Sequence, residues 1–284
     1  MQPNGFHKYF LLYITLAYQH SANGSEWDHI ANGMNWTGTC ATGLNQSPIS
    51  LNVEKAETSL MPRVFFGNYK LKLKGPISII NNGHTVFMNI PKTTNGKKPF
   101  IIGGTLKNRY EADGLHFHWG SKNSQGSEHL INNERFDLEM HIVHRNNKYK
   151  DIIKAVGKTD GLTVVGVLLK IVKKPKRKFP SLNRVLAAVA KIRKDNAKTT
   201  IRGGFSLGQM IGNVNPHDFF TYRGSLTTPS CQEAVTWIVF SEVLPVTYSS
   251  VSNFWKLLDH NNQKIINNFR SVQRLNGRHV FYRI

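Results

Sequence analysis

The sequence predicts a mainly β protein that forms a single domain and carries its helices at the periphery. Apolar and polar residues alternate over several runs in the middle of the chain, and this period of two is typical of half-buried strands. The last part of the chain adds segments rich in β-branched and aromatic residues, which favour strands. A chain of 284 residues with 40% hydrophobic residues can bury one sizeable core, and no Gly/Ser/Pro linker or repeat marks a second domain.

The N-terminal residues predict a secretory signal peptide. A short region with Lys8 precedes an apolar run over residues 9–17, which is too short to span a bilayer and fits the apolar region of such a signal. We place the signal peptide at residues 1–22, without fixing the cleavage site, and the mature domain at 23–284. A buried N-terminal strand is the alternative. No later segment has the length of a membrane span and the C-terminus lacks a lipid-anchor tail, so we expect a secreted, extracellular protein without a transmembrane segment.

Four segments of the middle of the chain predict strands. Residues 69–75 (YKLKLKG) alternate tightly, and residues 76–91 (PISIINNGHTVFMNIP) predict two strands around a polar turn. Residues 136–145 (FDLEMHIVHR) alternate again. The continuous apolar run at 162–172 (LTVVGVLLKIV) is suited to a strand that is buried on both faces.

The remaining elements are two helices and two late strands. Residues 181–194 (SLNRVLAAVAKIRK) predict a helix with Ser181 as N-cap and basic residues in its C-terminal turn. A second helix is expected at 249–260. The segments 235–244 (VTWIVFSEVL) and 277–284 (GRHVFYRI) are expected to be strands.

A stretch of eight residues, GLHFHWGS, introduces the candidate site. In a strand, His116 and His118 would project to one face, and the next alternating strand places Glu139, His141 and Val143 on one face. Three neutral imidazoles with an open fourth position form a catalytic rather than a structural zinc site, and two distant cysteines cannot build a structural one. At this point His141 as a hydrogen-bonded core histidine remains an alternative.

From about Trp27 to the C-terminus the chain carries the motifs NQSPI, INNGH, GLHFHWGS, SEHLINNERFDLEMHIVH, DGLTVVGVLLK, YRGSLTTPSC, VTWIVF and NNFRSVQRLNGR. In their order and spacing these motifs resemble those of the α-class carbonic anhydrases. The resemblance implies one domain around a large twisted, mostly antiparallel sheet, with Zn²⁺ as cofactor. It also implies reversible hydration of CO2 to bicarbonate and a proton by a zinc-bound hydroxide, in a protein that we expect to be a monomer.

The resemblance assigns roles to individual residues. His116, His118 and His141 match the zinc ligands. Thr227 and Glu128 match the pair that orients the nucleophile: an ionised Glu128 can only accept, so it takes the Thr227 hydroxyl proton and leaves the Thr227 oxygen to accept from the zinc hydroxide. Without the family, Thr227 would be an ordinary turn residue.

Further positions match the substrate pocket and the proton path. Thr228 is expected to hold water or bicarbonate, and His84 matches the proton shuttle, for which an imidazole is suited because its pKa lies near neutrality. An exposed loop histidine is the alternative for His84. The residues expected to form the apolar wall for CO2, which would otherwise be core residues, are Val143, Val164, Leu226, Val235 and Trp237.

The two cysteines predict one disulfide. An even count suggests a bridge in a secreted protein. In addition, Cys40 and Cys231 occupy the positions at which exported members of the family carry a bridged pair. Sequons at Asn23, Asn35 and Asn45 permit glycosylation.

Three positions differ from the family pattern. Gly114 stands where a glutamine commonly supports the first zinc ligand, His29 stands where the family usually has a tyrosine, and Phe87 stands at a site that is usually polar. We expect an active enzyme whose proton transfer is reduced. The alternative function is a family-like domain used only for binding, against which the three retained histidines argue.

The charge of the chain is strongly positive and unevenly distributed. Formal net charge is +20, from 37 basic and 17 acidic residues. Between Lys170 and Arg202 there are 12 Lys/Arg and one acid, Asp195, a net charge of +11 in 33 residues. A solvated face is one interpretation. The other is a partner that is a polyanion, such as a sulfated glycan or an anionic surface bound through 170–202, because nucleic acid is not expected outside the cell.

Overall fold

The computed structural model describes residues 27–284. The predicted signal peptide at 1–22 and the sequon at Asn23 lie outside the described residues. Within 27–284, no helix combines the length and the apolar character needed to cross a bilayer.

One large mixed sheet of 13 strands organises the described part of the chain, as the predicted fold class requires. Its central strands lie in the order β11-β4-β5-β7-β9-β10-β13-β12-β15-β2, and most neighbouring pairs are antiparallel. The strands of residues 27–284 are β1 (Ser50–Leu51), β2 (Glu57–Ser59), β3 (Phe65–Gly67), β4 (Ile77–Asn81), β5 (Val86–Asn89), β6 (Phe100–Gly103), β7 (Leu106–Trp119), β8 (Leu130–Ile131), β9 (Leu138–Asn146), β10 (Leu162–Ile171), β11 (Lys198–Ile201), β12 (Phe219–Gly224), β13 (Val235–Phe240), β14 (Leu244–Val246) and β15 (Val280–Arg283).

The helices are short and lie outside the sheet. They are α1 (Thr39–Thr42), α2 (Ile152–Val156), α3 (Pro180–Val189), α4 (Gly208–Ile211) and α5 (Tyr248–Val251), with a 3₁₀ turn at Phe254–Lys256. The predicted helix at 249–260 is therefore two short pieces.

The helix predicted at 181–194 is α3, but both of its ends differ from the prediction. Pro180 is the first helical residue, a position that suits proline because its missing N–H would have no partner there. Ser181 is therefore not the N-cap, and its hydroxyl donates to Gln209 at 2.9 Å. The helix ends at Val189, so the basic residues at 191–194 lie beyond it.

The strand predictions hold with one exception. The hairpin predicted at 76–91 is present as β4 and β5, and β10 is buried from Leu162 to Leu169. Residues 69–75 form turns instead of a strand. Tyr69 and Leu73 are buried whereas Leu71, which a strand would place on the same face, is 38% exposed. The alternation at 69–75 therefore belongs to a loop whose buried residues, Tyr69 and Leu73, cover the sheet.

Two apolar clusters cover opposite faces of the sheet. On β10, Val165 and Val167 belong to the larger cluster, while Val164 and Leu168 belong to the smaller one. Val143 on β9 also belongs to the smaller cluster, and His141 shares its face because side chains alternate along a strand. The candidate ligands therefore lie on the face of the smaller cluster.

The predicted disulfide between Cys40 and Cys231 is present, with a Cα–Cα distance of 5.1 Å. It closes a sequence separation of 191 residues and joins α1 to the loop that carries Thr227. Arg270 donates to the carbonyl of Cys40 at 2.7 Å and Gln46 donates to that of Cys231 at 3.2 Å. Arg270 thus holds the α1 end of the bridge, and Gln46 holds its end in the loop.

Candidate metal centre and active site

Three histidines converge where β7 and β9 pair in the middle of the sheet. The register sets His116 opposite His141, and His118 projects to the face of His116 because one residue separates them. One ring nitrogen of each lies within 4.8 Å of the other two, and Nδ1 of His141 is 3.3 Å from Nε2 of His116. The structure brings together the three residues that the sequence analysis selected as ligands.

Neighbouring groups determine which nitrogen faces the cluster. The carbonyl oxygen of Asn268 can only accept, so Nδ1 of His118 donates to it at 2.8 Å and Nε2 carries a lone pair. In the same way Nε2 of His141 donates to Oε1 of Glu139 at 2.8 Å, which leaves Nδ1 for the cluster. Nε2 of His118 is buried and has no hydrogen-bond partner among residues 27–284. A bound cation would satisfy this buried lone pair.

Burial keeps the three imidazoles neutral. It lowers the pKa of His118 to about 4, that of His116 well below its usual range, and that of His141 as well. Neutral imidazole is the form that binds zinc, since the metal needs the lone pair. The donor set fits a zinc site with three histidine ligands.

The carboxylate of Glu139 lies behind His141 and receives four hydrogen bonds. The backbone N–H groups of Glu128 and His129 each donate to Oε2 at 2.8 Å, and Nδ1 of His129 donates to Oε1 at 2.7 Å beside the bond from His141. Burial alone would raise the pKa of Glu139, but His129 and His141 hold it well below its usual range. An ionised carboxylate thus fixes the orientation of His141.

Two of these supporting groups, Glu139 and Asn268, were not predicted from the sequence. Glu139 was on the same strand face as His141, and that alternation was a signal from which its role could have been inferred. No local pattern indicates Asn268, which reaches His118 from a segment that is 150 residues away in sequence.

The carboxyl of Glu128 is also fully buried but has fewer partners. Its Oε1 accepts from the backbone N–H of Arg270 at 2.8 Å, while Oε2 makes no hydrogen bond within residues 27–284 and lies 3.4 Å from Nε2 of His118. Burial raises the pKa of Glu128 to about 7, against the lowering effect of nearby groups that include Thr227. Thr227 is itself 4% exposed. The two residues of the predicted pair are therefore close, with Oε2 available to a donor.

The predicted apolar wall is a continuous patch across three strands. Val164 on β10 pairs with Val143 on β9 and with Trp237 on β13. The Trp237 ring lies 4.8 Å from the ring of His141, centroid to centroid. Val235 joins the same buried cluster and Leu226 packs against it, half-buried. Trp237 thus brings this patch into contact with His141.

Thr228 follows Thr227 in the loop held by the disulfide and is half-buried. Its carbonyl accepts from the backbone N–H of Cys231 at 2.9 Å, which closes a turn. The turn fixes the backbone of both threonines beside the site.

His84 lies in the turn between β4 and β5 and is only 9% exposed, so it is not the exposed loop histidine of the alternative interpretation. Its ring stacks on Trp27, with centroids 4.0 Å apart and 8° between the planes. His29 contacts the same Trp27 edge-on at 5.1 Å. Burial, and then His118 and His84, lower the pKa of His29 well below its usual range.

The two other departures from the family pattern surround His116. Phe87 on β5 is paired directly with His116, and Gly114 lies two residues before it on β7. Within residues 27–284, the only polar atom in hydrogen-bond range of the His116 ring is Nδ1 of His141. His116 therefore lacks the kind of supporting acceptor that His118 and His141 have.

Comparisons with known proteins show what the chain is similar to. The family model described as eukaryotic-type carbonic anhydrase matches residues 25–284. The chain is 35% identical over 283 residues to carbonic anhydrase 6 of the dog, covering 95% of this chain and 84% of that protein. It is 34% identical over 245 residues to human carbonic anhydrase 6, with 84% and 75% coverage. A putative carbonic anhydrase 5 of Caenorhabditis elegans is 32% identical over 264 residues, with 93% and 83% coverage.

The support of His141 by Glu139 can be tested through Gly166 on β10. A Cβ at Gly166 would stand 3.0 Å from Oε1 of Glu139, which its hydrogen bonds hold in place. Gly166→Ala should therefore displace the carboxylate and weaken zinc binding by about 10- to 100-fold, measured by competition with a chelator. Gly157→Ala is the matched control, because a Cβ there meets nothing within 4 Å. A zinc Kd that is equal in both variants would contradict the positioning role of Glu139.

Proposed function

The chain belongs to the eukaryotic-type carbonic anhydrase family, and we propose that it hydrates CO2 reversibly to bicarbonate and a proton with a zinc ion held by His116, His118 and His141. The observation that carries the proposal is the convergence of three neutral ring nitrogens on one point, one of them a buried lone pair without a hydrogen-bond partner among residues 27–284. A role in binding alone would not need these nitrogens to converge.

Zinc supplies Lewis acidity in such a site, lowering the pKa of water towards neutrality, an effect for which carbonic anhydrase is itself the standard example. The chain's own contribution is orientation. The carbonyl of Asn268 and the carboxylate of Glu139 hold His118 and His141 with their free nitrogens towards one point.

Glu128 and Thr227 would aim the attacking oxygen. Oε1 of Glu128 is used by the backbone of Arg270, so Oε2 is the acceptor left for the Thr227 hydroxyl. Once Thr227 donates its proton there, its oxygen can only accept, and it selects one orientation of the attacking water. Thr228, beside it, would hold the water or the bicarbonate product.

CO2 is apolar and would bind against the patch of Val143, Val164 and Trp237, with Leu226 and Val235 completing the wall. An apolar wall excludes water from the carbon that is attacked, and it offers bicarbonate, which is charged, no favourable contact. Substrate is therefore held beside the histidines and the product is released.

His84 would transfer the released proton to buffer. Its imidazole lies in a turn at the rim of the sheet and stacks on Trp27, so it is held in place rather than free in a loop. His29 and Phe87 are the residues that differ from the family along this path, and we expect them to make proton transfer the slower step.

We also propose that the protein is exported after removal of residues 1–22. The disulfide supports an oxidising compartment. Asn35 is exposed, so a glycan on it would point into solvent, whereas the side chain of Asn45 is half-buried and donates to Glu233 at 3.0 Å. Protein recovered from the medium of expressing cells should begin near residue 23. The Asn35→Gln variant, prepared in the same way, should have a lower mass because it lacks the glycan at that position. A product that begins at Met1 would overturn the proposed export.

The zinc assignment predicts two different losses of activity. His141→Ala should lose most of the zinc and the hydration activity together, because one of three ligands is removed. Thr227→Ala should keep the zinc and lose about 100-fold in kcat/KM, because one oriented hydrogen bond is removed while the metal stays. Zinc per chain is measured by metal analysis and hydration by stopped flow.

His217→Ala is the control for this pair, since His217 is exposed and its side chain makes no hydrogen bond within residues 27–284. Full zinc content in His141→Ala would contradict the ligand set. Full activity in Thr227→Ala would contradict the pairing with Glu128 and leave the metal site intact.

The shuttle assignment predicts a dependence on buffer. His84→Ala should lower turnover in weak buffer and recover partly when imidazole is added, because a mobile base can replace a tethered one. Zinc content should not change. Equal turnover of parent and variant at every buffer concentration would show that protons leave by another path.

A further inference from the structure

The excess positive charge of the chain has a defined place on its surface. Between Lys170 and Arg202 the basic residues lie at the end of β10, before and after α3 in the sequence, and on β11. Strand β11 is an edge strand of the large sheet. The members that are exposed and have no carboxylate partner among residues 27–284, here named the basic surface, are Lys173, Lys174, Lys176, Lys178, Lys191, Arg193, Lys194, Lys198 and Arg202.

Three other cations of this segment, Lys170, Arg177 and Arg184, are engaged and do not belong to the basic surface. Lys170 pairs with Glu134 at 2.7 Å. Arg177 pairs with Glu242 and lies over the ring of Phe179, 5.3 Å from its centroid. Carboxylates neutralise these two charges, and Arg177 thereby anchors the loop, whereas Arg184 donates to backbone carbonyls.

The loop at 172–179, which carries four lysines of the basic surface, is held at both ends. At one end the N–H of Val172 donates to the carbonyl of Val246 at 2.9 Å, and at the other Phe179 is buried, with 2% of its surface exposed. The four lysines between these points have no ion pair with residues 27–284 and face solvent. The loop therefore presents a dense group of cations on a held backbone, at little entropic cost on binding.

A second group of cations lies at the other end of α3. The helix of 10 residues is about 15 Å long and packs against β11. Arg184 joins the helix to the residues that follow β11 by donating to the carbonyls of Gly203 at 3.0 Å and Gly204 at 2.8 Å. The cations thus form an extended array in two groups, which suits a long polyanion better than a single small anion.

From this array we infer that the basic surface binds a sulfated glycan. Sulfates repeated along a chain can contact both groups of cations at once, and each contact releases counterions. The choice of a glycan over a nucleic acid rests on the proposed export. Anionic lipids are concentrated in the cytoplasmic leaflet, so an exported protein would not meet them on the outer face of the cell.

The test compares two variants that lose the same charge. In the first, Lys173, Lys174, Lys176 and Lys178 are changed to Gln; in the control, the same change is made at Lys55, Lys107, Lys150 and Lys158, which are exposed and have no ion pair within residues 27–284. On a sulfopropyl column, which senses net charge, the two variants should elute together. On heparin the first variant should elute at clearly lower salt than the control.

Binding in solution gives a second measurement. With heparin oligosaccharides, the slope of log Kd against log salt should fall by about one for each lysine that contacts a sulfate, and only in the first variant. Zinc content and hydration should be the same in parent and both variants, which separates this inference from the proposed catalysis.

Three results would overturn the inference. Equal elution of the two variants from heparin would mean that net charge alone causes retention. Tighter binding to duplex DNA than to heparin at equal salt would make a nucleic acid the better partner. Tighter binding to phosphatidylserine vesicles would make it a membrane surface.

Discussion

The register between β7 and β9 is the constraint on which the site depends. Side chains alternate along a strand, so a slip of one residue would turn His141 into the larger apolar cluster on the opposite face. Leu115 and Phe117, which flank His116 on β7, are fully buried in that cluster. Burying such a side chain contributes about 1.5–3 kcal/mol, and a slip would lose this for several residues at once. Apolar packing on one face of the sheet therefore fixes the candidate metal ligands on the other.

Two buried carboxyls on this frame differ because they have different numbers of donors. Glu139 accepts four hydrogen bonds, which compensate the loss of water, and its pKa stays well below the usual range. Glu128 accepts one, from Arg270, and burial raises its pKa to about 7. The first carboxyl is thus a fixed anion that orients a ligand. The second has an acceptor left over for a hydroxyl that comes from a separate loop.

How much the sequence could predict depended on how local each signal was. The alternation that built β9 and the apolar run of β10 are properties of single segments, and both strands were predicted. The strand predicted at 69–75 is absent. Tyr69 and Leu73 are instead the buried residues of a loop that covers the sheet, and their spacing is the same as on one face of a strand. The predicted N-cap of α3, Ser181, lies inside the helix because Pro180 suits the first helical position. Asn268 could not be found, since its contact with His118 uses a backbone carbonyl and exists only after the chain has folded. The disulfide and the ligand set were predicted because family resemblance supplied the long-range pairing that periodicity cannot.

Two of the departures from the family pattern adjoin His116: Phe87 is paired with it and Gly114 lies two residues before it on β7. The third, His29, contacts Trp27, on which His84 stacks. The groups that orient His118 and His141 are complete. Two well-oriented ligands are enough to define where a cation would sit, since the third then needs only to reach it. Proton exit is different, because it needs an unbroken chain of polar groups, and one apolar side chain can interrupt it. Substitutions near His116 can therefore accumulate with less effect on metal binding than on the rate at which protons leave.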